Sequence, residues 1–159
     1  MRTTAIMNMK GGTAKTVTAI NLAAILARDY AQRVLLVDAD SQANLTEFVT
    51  NGPEDSMVIG SFADLLRGQN AFPYPTKMQN VKILIGDDSL MDLDVTAAYK
   101  GIADPMALAD FLARKEIAER FDRCVIDCPP AFSAGAMAAI AAAEAASSCS
   151  CVVMPDHTR

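Results

Sequence analysis

The stretch that most constrains the fold is TTAIMNMKGGTAKTVTAINLAAIL, residues 3–26. A short apolar run ends at Gly11-Gly12, and from Ala14 to Tyr30 the chain carries helix formers with no Gly or Pro. The pattern is a buried strand, a glycine turn and a helix. Glycines let a backbone approach a phosphate closely with successive N–H groups turned inward, and a helix N-terminus adds its positive end. Lys15 and Thr16 stand where a lysine reaches phosphate oxygens and a hydroxyl binds Mg2+. Against the general pattern G-x-x-x-x-G-K-[ST], however, Met9 and Ala14 occupy both glycine positions.

Four more apolar runs follow: RVLLVDAD (33–40), VKILIG (81–86), RCVIDCPP (123–130) and SCSCVVMP (148–155). They are apolar on both faces, which is the signature of strands in a parallel sheet covered by helices. Between them the sequence predicts a short helix over 44–50 and an alanine-rich helix over 133–146. A further helix runs from Asp104-Pro105, an N-cap followed by proline, to about Arg120. Ser61-Phe-Ala-Asp64 has the form of a capping box, with Gly68 as a stop. Residues 69–80, with Pro73 and Pro75, read as a loop, and 87–103 carry no clear pattern. The expectation is one α/β domain over 1–159, a mostly parallel β-sheet flanked by helices on both faces.

The net charge of −5 gives no global support for binding nucleic acid or an anionic membrane. The most apolar run, 134–146, is mostly alanine, carries Glu144 and is too short to span a bilayer. The N-terminus lacks the apolar segment of a signal peptide. These features predict a cytoplasmic protein without a membrane partner. Cys124, Cys128, Cys149 and Cys151 do not have zinc spacing, and His157 stands alone, so the cysteines read as reduced, buried strand residues.

Lys10, directly before the glycine pair, adds a feature that the general pattern lacks. KGGTAKTV (10–17) resembles the deviant Walker A motif of the ParA/MinD family of ATPases, usually KGGVGKTT, with Ala14 in place of Gly and Val17 in place of Thr or Ser. VLLVDADSQANLT (34–46) is similar to that family's second motif, usually VLLIDxDPQGNxT, with Ser41 for Pro and Ala43 for Gly. FDRCVIDCPPAF (121–132) looks like its Walker B segment. Three motifs in the family's order make the resemblance specific. D-x-D-x-Q-x-N and DCPP bring it closer to the partition proteins (ParA, Soj-like) than to MinD. The fold so implied is a P-loop NTPase, C-terminally truncated, since full-length relatives continue well past this point.

The resemblance implies a slow, partner-stimulated ATP hydrolase that uses ATP/ADP and Mg2+ in DNA segregation. Lys10, Gly11, Gly12, Thr13, Ala14, Lys15, Thr16 and Val17 would hold the nucleotide. Lys15 would bind the β and γ phosphates and Thr16 the Mg2+, with Asp38 and Asp127 near the metal through water. Asp40 matches the acid that positions the attacking water. Lys10 matches the lysine that reaches a partner subunit's nucleotide, which implies an ATP-dependent homodimer. Asn44 either touches the nucleotide region or caps the following helix. The other implied partners are a ParB-like stimulating protein and non-specific DNA, with nucleoid association if DNA binding is retained. Two departures bear on activity. Ala14 costs of order 1 kcal/mol if its φ is positive and nothing if it is helical. Val17 loses a hydroxyl worth about 0.5–1.5 kcal/mol. Together they predict weakened binding and slow turnover. The alternatives are a non-catalytic nucleotide-binding scaffold, a MinD-type membrane ATPase and a ligase of cofactor biosynthesis.

Overall fold

The computed structural model describes residues 1–51, 60–93, 103–145 and 152–153. Among these, one six-stranded sheet has the order β3-β4-β2-β5-β1-β6. The strands are β1 (Arg2–Met7), β2 (Val34–Asp38), β3 (Tyr74–Pro75), β4 (Val81–Leu84), β5 (Arg123–Asp127) and β6 (Val152–Val153). All neighbours pair in parallel except β3 with β4. The helices are α1 (Lys15–Asp29), α2 (Asn44–Val49), α3 (Phe62–Leu66), α4 (Ala107–Ala113), α5 (Lys115–Ala118) and α6 (Ala134–Ala145).

Alternation along the strands sorts the core into two layers. Val34 and Leu36 of β2 and Val125 of β5 face Ala19, Ala23 and Ala27 of α1. Leu35, Val37, Cys124 and Ile126 face the other side, against Phe62, Leu108, Phe111, Ala138 and Ala139. Helices therefore cover both faces, as the doubly apolar runs require. Cys124 and Cys128 are both buried. Cys149, Cys151 and His157 lie outside the described residues, as does most of the run 148–155.

Two elements depart from the sequence expectation. Residues 69–80 are not all loop, because Tyr74 and Pro75 pair with Ile83 and Lys82 as β3. Pro75 has no N–H to donate, and only an edge strand tolerates that. The helix expected from Asp104 to Arg120 starts at Ala107 and breaks at Arg114, whose φ −59 and ψ 134 are extended. Leu108, Phe111 and Leu112 lie on one buried helical face. Continued unbroken, that face would next present Lys115 and Glu119 to the core. The break turns them outward, where they form an exposed ion pair, and brings Ile117 and Phe121 in. Asp104 still makes a local turn, its Oδ1 accepting from the Met106 N–H at 2.8 Å. The capping box at Ser61 and Asp64 forms in full.

The sheet places the carboxyl ends of β1, β5 and β2 side by side, with Asp38 in register with Asp127. Helix α6 closes against this edge through Gly135, where an added Cβ would lie 2.6 Å from the Ala39 carbonyl oxygen. Helix propensity alone favours Gly→Ala by about 1 kcal/mol. Here we expect Gly135→Ala to destabilise the fold by about 1–3 kcal/mol through overpacking, which chemical denaturation measures. Increased stability would show that α6 is not packed on Ala39 this closely.

Candidate functional site at the carboxyl edge of the sheet

The loop between β1 and α1 is shaped by its own polar groups. The Lys10 N–H donates to Asn8 Oδ1 at 2.9 Å, and the Thr13 hydroxyl donates to the Lys10 carbonyl at 3.2 Å. Gly12 and Ala14 both have left-handed backbones, with φ 72 and φ 60. Ala14 is the N-cap residue of α1. Of the two alternatives open from the sequence, the strained one holds, at roughly 1 kcal/mol. The second family glycine replaced by alanine behaves identically: Ala43, with φ 52, is the N-cap of α2.

Lys15 is buried, and its ammonium donates to the Lys10 carbonyl at a long 3.4 Å. Lys10 itself is exposed. The Thr16 side chain hydrogen-bonds the carboxyl of Asp127. Asp127 is 2% exposed, and its Oδ1 is buried with no hydrogen-bond partner. Burial raises the Asp127 carboxyl to about 6, and the charge of Asp40 adds to this against the opposing pull of Thr16 and Lys15. Asp38 is raised to about 7, chiefly by burial and further by Asp127, although Thr46 and the Asp40 N–H stabilise its charged form.

Asp38 also performs a task the sequence did not suggest. Its Oδ2 accepts from both the N–H and the hydroxyl of Thr46, each at 2.8 Å. Thr46 is the third residue of α2, so a strand-end carboxylate caps the helix where Ala43 has no side chain to do it. Asn44 is the first residue of α2 rather than its N-cap, which sets aside the capping alternative for it. Instead Asn44 lines a cleft of about 920 Å3 with Thr16, Val17, Asn21 and Phe48. Asp40 is half-buried at the start of the intervening loop, its Oδ1 accepting from the Gln42 N–H at 3.0 Å.

The arrangement suits a polyphosphate and a divalent cation. A Cβ at Gly11 or Gly12 would meet nothing within 4 Å, so the cradle is open. A buried lysine and a helix N-terminus adjoin it, and an unpartnered carboxylate oxygen lies behind Thr16. Among the described residues no cluster of His, Cys, Asp and Glu forms a metal cage on its own. A cation here would therefore draw ligands from phosphate and water as well as protein.

A family profile described as an AAA domain matches residues 1–150. The virulence plasmid ParA family protein pGP5-D of Chlamydia psittaci is 31% identical over 138 residues, covering 82% of this chain and 49% of the relative. The chromosome-partitioning ATPase Soj of Thermus thermophilus is 35% identical over 144 residues, covering 91% and 52%. The chain belongs to the ParA/MinD family of P-loop ATPases. Among solved structures, the ATP complex of a Cyanothece McdA variant superposes with a TM-score of 0.76 at 32% identity, covering 90% of this chain and 54% of that one. The chain thus spans about half the length of the relatives it matches. No helix among its described residues is long and apolar enough to cross a membrane.

Folded-state carboxyl values above the unfolded value of roughly 4 favour the protonated protein, so this stabilisation is complete below about pH 4 and is lost as pH rises through 6 to 7. We expect the melting temperature of the nucleotide-free protein to fall between about pH 4 and 7 and to level off above that, and Asp127→Asn to flatten that fall. An unchanged slope in the variant would exclude Asp127 as its source. Separately, Ala14→Gly and Ala43→Gly relieve left-handed strain at some cost in unfolded-chain entropy. Each should stabilise by about 0.5–1 kcal/mol by denaturant titration; a loss of stability would refute the strain assignment.

Proposed function

We propose that this chain binds ATP with Mg2+ through residues 10–17 and hydrolyses it slowly. The observation that carries the reading is the Lys15–Thr16–Asp127 arrangement, which sets a buried cation and a hydroxyl beside a carboxylate oxygen that has no partner. Lys15 binds the β and γ phosphates. Its present bond to the Lys10 carbonyl is long, so leaving it costs at most about one weak hydrogen bond. Thr16 and, through water, Asp127 and Asp38 hold the metal. Mg2+ supplies neutralisation of charge on the phosphate oxygens. Asp40 orients the water that attacks, and its turn, closed by the Gln42 N–H, fixes where that carboxylate points. Lys10, exposed on the loop, serves a second subunit, where a trans cation stabilises developing charge. The cycle is therefore one of ATP-dependent dimerisation reset by hydrolysis.

At the level of the whole protein we assign a role in segregating DNA, plasmid or chromosome, with a ParB-like stimulator and non-specific DNA as partners. The relatives named for partitioning and for a virulence plasmid support it. A second reading, nucleotide binding without turnover, is favoured by the strained Ala14 and by the exposed valine at position 17.

Steady-state ATP hydrolysis and nucleotide binding at millimolar Mg2+ decide between them. We expect Lys15→Ala to weaken binding at least about 100-fold, as loss of a buried phosphate-binding cation would. Asp40→Ala should bind normally but lower turnover by about 100-fold or more. Binding without turnover in the unaltered chain would select the second reading, and no binding would reject both.

A further inference from the structure

The family motif over 34–46 ends in Thr46, a residue to which the nucleotide chemistry above gives no task. Thr46 is 4% exposed, and its hydroxyl is engaged in both directions. It donates to Asp38 Oδ2 at 2.8 Å and accepts from the Gly86 N–H at 3.0 Å. The Thr46 backbone N–H holds the same Asp38 oxygen at 2.8 Å. With Oδ2 so fixed, Asp38 Oδ1 is turned toward the Asp40 N–H, from which it accepts at 3.3 Å. Gly86 presses on the same turn: a Cβ there would lie 2.8 Å from the Asp38 carbonyl oxygen and 3.0 Å from that of Asp40.

We infer that Thr46 is a positioning residue for Asp40, acting through Asp38 and locking the exit of β4 at Gly86 to the turn that carries Asp40. The inference rests on the ATPase reading for its catalytic consequence, but its geometry does not. One hydroxyl joins three segments: the end of β2, the first turn of α2 and the loop after β4. Removing it frees the Asp38 carboxyl to rotate and leaves the Gly86 N–H without its acceptor. The Asp40 carboxylate would then sample several orientations. Phosphate contacts in residues 10–17 would be untouched, and Asp38 reaches the metal only through water. The signature is therefore a fall in turnover without a matching loss of affinity.

The test compares Thr46→Val, close in shape but without the hydroxyl, with Thr46→Ser, which keeps it. In the nucleotide-free protein, amide hydrogen exchange at Gly86 and Asp40 should speed up at least about ten-fold in Thr46→Val and stay near the parent rate in Thr46→Ser. With Mg2+ and ATP, kcat should fall about ten-fold in Thr46→Val with the affinity for a fluorescent ATP analogue within about two-fold. Added to Asp40→Ala, Thr46→Val should lower turnover no further, because nothing remains to position. If Thr46→Val does not fold, Thr46→Cys, with a weaker donor of similar size, carries the same measurements. Unchanged exchange at both amides, or equal losses of kcat and affinity, or an additive loss on Asp40→Ala, would overturn the inference. Absence of turnover in the unaltered chain would instead overturn the ATPase reading, and the exchange comparison would still decide whether Thr46 holds the turn.

Discussion

The structure turns on a carboxylate buried among hydrogen-bond donors. Asp38, fully inaccessible at the end of β2, accepts from the N–H and hydroxyl of Thr46 and from the Asp40 N–H. Burying such a group is costly unless every lone pair finds a donor. The donors come from the start of α2 and from the following turn, so those segments cannot be arranged freely. The end of β2, the Asp40 turn and the first turn of α2 become one unit. Asp127, its neighbour across the strands, is less well provided for and keeps an orphaned oxygen. The contrast separates two neighbouring acids, one with both oxygens engaged in hydrogen bonds and the other with one oxygen that has none.

The loop between β1 and α1 shows a related constraint. Its left-handed residues are placed by the chain path, which must reverse from strand to helix within a few residues, and that demand is the same whether glycine or alanine occupies the position. Ala14 and Ala43 both accept it. The two alanines therefore hold strain in turns whose left-handed φ values, 60 and 52, glycine adopts freely. A loop that keeps its shape retains its N–H groups facing the same way, which is the property a bound phosphate depends on.

Much of this was legible in the sequence. The strands announce themselves as doubly apolar runs because a parallel sheet between helix layers leaves neither face wet, and the motif residues 10–17 lie where β1 passes into α1. Family membership was readable from the same three motifs. What was not legible has physical causes. The break at Arg114 involves no Gly or Pro; it answers to which side chains the core must receive, a tertiary demand that local propensity does not record. β3 is hidden because Pro73 and Pro75 read as loop, and its place at an edge makes Pro75 compatible with pairing. Asn44 reads as a cap in sequence because capping is usually local, whereas the cap of α2 comes from Asp38, on the preceding strand. No pattern in sequence distinguishes a carboxylate that coordinates from one that caps; both stand at strand ends.

The short proline-bearing strand β3 has a consequence for how copies of this protein can meet. A sheet edge is ordinarily a template onto which another backbone can zip. Here that template is two residues long, and one of them lacks an amide proton. Among the described residues this flank therefore offers a second backbone only a short, interrupted ladder to extend.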